Sequence, residues 1–234
     1  MTCRYAIYYA PRADSALWTR ASTWLGRDAF SGRTLARPAA PGLDDLDLDA
    51  LTADPRLYGF HATLKAPFEL AQDRGETELL DFARAFAQRQ AAFEAPVAPA
   101  RLGRFHAFRT VEDSPAMQRL HAACVRDFDP FRAPASDRDL ARRRRAGLTA
   151  EQDQRLVQWG YPYIFEDFRF HMTLTNALHD EALSDRIAAA LAAYFADVAG
   201  PHLFDGVAVF KQDDRAAPFR VLERFAFRAT ADAI

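Results

Sequence analysis

Lysine is almost missing from this chain: of 30 basic residues only Lys65 and Lys211 are lysines, and the rest are arginines. Cysteine is as scarce. Cys3 and Cys124 are too few for a disulfide framework and lack metal-ligand spacing, so they read as reduced thiols of a cytoplasmic protein. No long apolar run occurs. The least polar helical stretch, Ile187 to Val198, contains Asp197 and is too short for a bilayer, so no membrane partner is expected. The first residues, Met1-Thr2-Cys3-Arg4, resemble the start of a strand, with no basic segment leading into an apolar one, and no signal peptide is expected. Charge of one sign is not in excess either. With 30 basic against 32 acidic residues the formal net charge is −2, which argues against a general nucleic-acid binder while leaving room for a local anion site. The acidic run Asp44, Asp45, Asp47, Asp49 lacks the glycine and terminal glutamate of a calcium loop.

What is present suffices for one core. The 234 residues are 50% apolar, enough for a single domain or two small lobes sharing a cleft. Strands are expected at Arg4–Tyr9, Tyr58–Leu70, Val97–Leu102, Phe105–Val111, Arg169–Asn176, Phe204–Phe210 and Phe219–Phe227. Helices are expected at Asp14–Leu25, Thr77–Phe93, Ser114–Phe128, Ser136–Arg145, Thr149–Gly160 and Asp180–Val198. Several of these open on capping signals such as Ser114-Pro115 and Thr149-Ala150-Glu151-Gln152. The Pro-, Gly- and Asp-rich stretch from Ser31 to Asp54 reads as a long loop.

One unit occurs twice. His61-Ala62-Thr63-Leu64 and His171-Met172-Thr173-Leu174 lie 110 positions apart (171 − 61), and each is followed by a helix and two strands. Such duplication predicts lobes of roughly 1–111 and 161–234 about a pseudo-twofold axis, with a helical insert at 112–160. Strand periodicity puts His61, Thr63 and Lys65 on one face, and His171, Thr173 and Thr175 on one face of the other copy. Two imidazoles and two hydroxyls meeting in a cleft suit phosphodiester chemistry. One neutral and one protonated histidine can remove a proton from the attacking oxygen and supply one to the leaving oxygen. Threonine hydroxyls and a lysine would hold the phosphoryl oxygens.

These paired motifs resemble the two-histidine (2H) phosphoesterase superfamily. The segments Arg4–Pro11, Tyr58–Phe68 and Gly160–Thr175 resemble its branch encoded with bacterial phosphonate-degradation operons. The resemblance covers nearly the whole chain. It implies an α+β fold with two pseudo-symmetric antiparallel-sheet lobes, flanking helices and a central cleft. It implies His61 and His171 as catalysts, with Thr63 and Thr173 on the substrate and no metal or other cofactor. It further suggests a small-molecule phosphodiester substrate, a ribose cyclic phosphate of phosphonate catabolism such as phosphoribosyl 1,2-cyclic phosphate.

Lys65, Lys211, Tyr5 and Tyr161 are further candidates for substrate contact, as is Tyr58. The run Arg142–Arg145 reads as a solvated helix face, and RNA as a partner is less favoured than a small molecule. An RNA-end 2′,3′-cyclic phosphodiesterase or ligase, a non-catalytic phosphate-binding protein and a histidine-ligated metallohydrolase remain alternatives. The oligomeric state is not legible.

Overall fold

The computed structural model describes residues 3–228; Met1 and Thr2, read as leading into the first strand, lie outside the described residues. The chain opens with β1 (Arg4–Tyr9), then α1 (Ala16–Leu25). Ser15 caps α1 by accepting from the Trp18 amide, and Gly26 ends it in the left-handed region. The stretch read as a long loop holds two short helices, α2 (Leu48–Leu51) and α3 (Ala53–Tyr58). Asp47 accepts from the Asp49 and Ala50 amides, so the acidic run supplies an N-cap. Arg37 and Arg56 then pair with Asp49, and Arg186 with Asp45. Local composition spoke for loop; capping and arginine pairing to distant elements overrode it.

Next come β2 (Ala62–Phe68), α4 (Glu76–Gln88), β3 (Phe93–Leu102) and β4 (Phe105–Thr110). Strand β3 starts earlier than expected and runs through Pro96 and Pro99. Proline is normally excluded from an inner strand because it cannot donate, but here Pro96 faces Pro201 of the neighbouring strand and its carbonyl accepts from the Val111 amide. The insert forms α5 (Pro115–Asp127), α6 (Asp137–Arg144) and α7 (Ala150–Trp159), with the expected caps at Ser114, Ser136 and Thr149. The second His-x-Thr segment contributes only a two-residue strand, β5 (Met172–Thr173). It is followed by α8 (Glu181–Tyr194), β6 (Gly200–Phe204), β7 (Gly206–Gln212) and β8 (Arg220–Ala226).

The eight strands form one antiparallel sheet in the order β6-β3-β4-β5-β2-β1-β7-β8. The α+β class, the antiparallel strands and the flanking helices agree with expectation, and the two lobes are the two halves of this sheet. They meet at β2 and β5, where Ala62 faces Met172. The halves interleave in the chain, and this departs from the contiguous lobes expected at 1–111 and 161–234. Strands β3 and β4 come from the first part of the chain but lie beside β5 and β6, whereas β7 and β8 lie beside β1. Antiparallel pairing across β3–β6 and β1–β7 thus stitches both ends of the chain into both halves. The core behind the sheet is aromatic: Trp24, Phe60, Phe86, Phe108, Phe195 and Phe204 are fully buried. Among the described residues no helix is long and apolar enough to cross a membrane.

Candidate active site

The register at the centre of the sheet assembles the site. Because Ala62 pairs with Met172, antiparallel counting sets His61 opposite Thr173 and Thr63 opposite His171. All four have the same parity and share one face, while Ala62, Leu64, Met172 and Leu174 are buried on the other. The histidines form a diagonal pair, neighbours that stand roughly 7–8 Å apart with their β-carbons somewhat closer. All four residues line one cavity of about 590 Å³, with Arg4, Tyr8, Tyr58, Arg142, Arg143, Tyr161 and Arg215 also on its wall.

Each imidazole is held the same way. His61 Nδ1 lies 2.8 Å from the Gly59 carbonyl and His171 Nδ1 lies 2.7 Å from the Arg169 carbonyl. A carbonyl only accepts, so Nδ1 must carry its hydrogen in both rings. That leaves Nε2 as the titrating atom of each. Thr63 Oγ1 is 3.4 Å from His61 Nε2. Tyr8 stacks on the His61 ring with centroids 3.9 Å apart. Burial pushes the His61 imidazole down to about 4; the Gly59 carbonyl opposes this, and charge on His171 adds to it. His171 is also lowered by burial, against its own carbonyl partner and with a smaller push from Arg109.

Gly59 is fitted to its task. Its φ of +78° is disfavoured for other residues, and an added Cβ would sit 2.6 Å from the Ala29 Cβ. Gly59→Ala is therefore expected to cost about 1–3 kcal/mol from backbone strain alone. In a chain of this size that lowers the melting temperature by about 2–4 °C per kcal/mol. A thermal melt of the variant matching wild type would show that this backbone is not constrained as described.

The structure brings together His61, Thr63, His171, Thr173 and Tyr161, but three other candidates lie elsewhere. Lys65 was expected beside Thr63. Tyr8 faces Thr63 while its neighbour Ile7 faces Lys65, so one step on β1 spans two on β2. This bulge turns Lys65 off the cleft face. Its side chain is 3% exposed, and the ammonium donates to the Val125 carbonyl at 2.8 Å and to Asp129 at 2.9 Å. Tyr5 and Lys211 face each other across β1 and β7, on the side opposite Arg4 and Tyr8. Both converge on Glu76 of α4, the Tyr5 hydroxyl donating at 2.8 Å and Lys211 at 2.7 Å. All three are pairing residues of the fold. His106, the histidine of β4, is buried against α8 with Nε2 3.0 Å from Ser184 Oγ.

Sequence reasoning missed Arg4, Tyr8 and Arg215, and it read Arg142 and Arg143 as a solvated face. The run of four arginines was a visible signal, but which of them turn inward depends on where α6 packs. Arg144 pairs outward with Asp153, while Arg143 lies over the Tyr161 ring with its guanidinium carbon 4.8 Å from the centroid. Among the described residues no group of three His, Cys, Asp or Glu side chains converges as a metal site.

Comparison with known proteins gives three kinds of likeness. A family model described as "Protein of unknown function (DUF1045)" matches residues 63–220. The chain is 42% identical over 237 residues to a ribose 1,5-bisphosphate phosphokinase PhnN of Janthinobacterium sp. (strain Marseille), covering 96% of this chain and 51% of that protein. It is 37% identical over 218 residues to the protein of the same name from Laribacter hongkongensis (strain HLHK9), covering 93% and 50%. The chain thus spans about half the length of the curated relatives it matches. Among solved structures it is similar to E. coli LigT complexed with 3′-AMP, at 14% identity and a TM-score of 0.45, over 97% of this chain and 99% of that one.

Proposed function

We propose the following activity for this chain, which belongs to the family described as Protein of unknown function (DUF1045): it is a metal-independent phosphodiesterase that hydrolyses a small cyclic phosphodiester by two-histidine acid–base catalysis. The observation that carries the reading is the matched pair of imidazoles. Both line one cleft, each has its Nδ1 committed to a backbone carbonyl two residues earlier, and each has a threonine across the strand pair. A satisfied structural histidine has no need of such duplication.

The chemistry follows from the two Nε2 atoms. One neutral Nε2 takes a proton from water as the water oxygen attacks phosphorus. The other, protonated, gives its proton to the leaving oxygen as the P–O bond breaks, and the ring-opened phosphomonoester departs. Thr63 and Thr173 donate to the non-bridging oxygens, whose charge grows in the transition state. Burial lowers both imidazoles, but His61 is pushed far down, to about 4, by burial and, less, by charge on His171. His171 therefore takes the proton first and serves as the acid, with His61 as the base.

A ribose cyclic phosphate of phosphonate catabolism is the proposed substrate. The names of both curated relatives specify a ribose phosphate, which supports ribose as the sugar. The test is a hydrolysis screen over cyclic phosphates, from ribose to nucleotide to oligonucleotide, with and without EDTA. Turnover of a ribose cyclic phosphate that survives the chelator is expected. Loss with EDTA that zinc restores would replace the mechanism with a metal-assisted one.

A further inference from the structure

The catalytic cleft is not lined evenly. At one end it runs into a second cavity of about 180 Å³, and the two share Arg4, Pro67, Arg142, Arg143 and Arg215. Four guanidinium groups from three remote places, namely β1, the insert helix α6 and the turn after β7, meet at this junction. The carboxylates there do not neutralise them all. Asp139 pairs with Arg142 and Arg215, and Glu69 pairs with Arg215. Arg4 instead spends two donors on the Gln212 amide oxygen and lies over the Phe219 ring. The Arg143 guanidinium lies over the face of Tyr161 and makes no hydrogen bond among the described residues. Among the described residues neither forms an ion pair.

Gathering like charges in a partly buried place opposes folding, and a buried unpaired cation is costly. The guanidinium of Arg143 is lowered by burial, and that of Arg4 by burial and then by Arg215. Two uncompensated positive charges held beside a reaction cleft call for an anion of about two charges. A phosphomonoester carries about −1.5 to −2 at neutral pH, and arginine grips phosphate through paired hydrogen bonds. A cyclic diester phosphate carries a single charge and is already served by the histidines and threonines.

We infer that Arg4 and Arg143, supported by Arg142 and Arg215, form a second anion subsite that takes a terminal phosphomonoester on the same small molecule whose cyclic diester is cleaved. The spacing suits this. Arg4 and Tyr8 share a face of β1 four residues apart, about 13 Å along the strand, and Tyr8 stacks on His61. Less the length of an arginine side chain, that gap is on the scale of one phosphorylated sugar. The subsite also gives the helical insert a function, since α6 brings Arg142 and Arg143 to the cleft. The inference rests on the phosphodiesterase reading for the second half of the molecule but not for the anion site itself.

Two measurements test it separately. First, calorimetric titration with ribose 5-phosphate, against ribose as control, probes the subsite without chemistry. Binding is expected in wild type and in His61→Ala/His171→Ala. It should weaken about 10²-fold in Arg4→Met/Arg143→Met, since a charge-assisted hydrogen bond contributes about 1.5–3 kcal/mol and 1.4 kcal/mol is tenfold. Arg143→Met alone makes the same test milder for the fold, because that guanidinium has no hydrogen bond to lose among the described residues. Second, kcat/KM is compared for ribose 1,2-cyclic phosphate with and without a 5-phosphate. A preference of at least about 10²-fold for the phosphorylated form, falling toward unity in the arginine variants, is expected. Ribose 5-phosphate binding that the arginine variants leave intact would overturn the subsite. Equal rates on the two cyclic phosphates would overturn it while sparing the phosphodiesterase. Binding as expected with no turnover of either would keep the subsite and remove the phosphodiesterase. A preference for oligonucleotide ends over the phosphorylated sugar would overturn the small-molecule assignment.

Discussion

His61→Ala and His171→Ala are each expected to lower hydrolysis of the cyclic substrate by at least about 10²-fold, the usual contribution of a positioned general acid or base. The double variant should fall little below the single ones. Two groups that transfer protons in one step act as a unit, and losing either stalls the other. Expected pH behaviour makes the test sharper. Both imidazoles are lowered by burial, His61 to about 4, so near neutrality both are uncharged. The acid must be protonated, and its protonated fraction falls as pH rises through its lowered pKa, so kcat/KM declines on the alkaline side from a point below 6.5. The base must be neutral, so the acid limb begins only as pH falls toward about 4. The profile of kcat/KM is therefore a bell displaced to the acid side of an ordinary histidine. A profile flat between about pH 5 and 8, or near-normal turnover in either alanine variant, would defeat the paired mechanism.

The second large effect concerns stability. Lys65→Met is expected to destabilise the fold by about 3 kcal/mol, near the low end for breaking a buried ion pair, because Arg132 still reaches Asp129. That corresponds to a melting temperature lower by roughly 6–12 °C. Burial lowers the Lys65 ammonium, and Asp129 opposes that shift. Loss of the lysine also strands the Val125 carbonyl at the end of α5. The same substitution should leave KM for the cyclic substrate close to wild type, since the side chain is turned off the cleft. A stable Lys65→Met protein with a KM raised tenfold would restore Lys65 to the site.

Features legible in the sequence differ in physical cause from those that are not. Helix ends at Ser114, Ser136, Thr149 and Gly160 were legible because a cap is a local hydrogen bond between residues three or four apart. The helices α2 and α3 were not, although Asp47 caps α2 locally, because the rest of their support comes from Arg37 and Arg186 at a distance. Of the candidate site, the quartet His61, Thr63, His171 and Thr173 was legible as a repeated pattern. Tyr5 was named for its aromatic flanks, while Arg4 and Tyr8 were missed, because alternation says which residues share a face but not which face meets the cleft. The bulge beside Lys65 is a one-residue event that periodicity cannot register, and it reversed the reading of that lysine.

From the chain alone came the α+β class and the doubled His-x-Thr unit, because capping and alternation are short-range and travel with the residues themselves. Tertiary packing decided how the strands interleave, which pleat of β1 faces the histidines, and that arginines from three separate segments meet beside them. Those outcomes depend on strand register and helix docking, which are set by contacts between residues far apart in sequence.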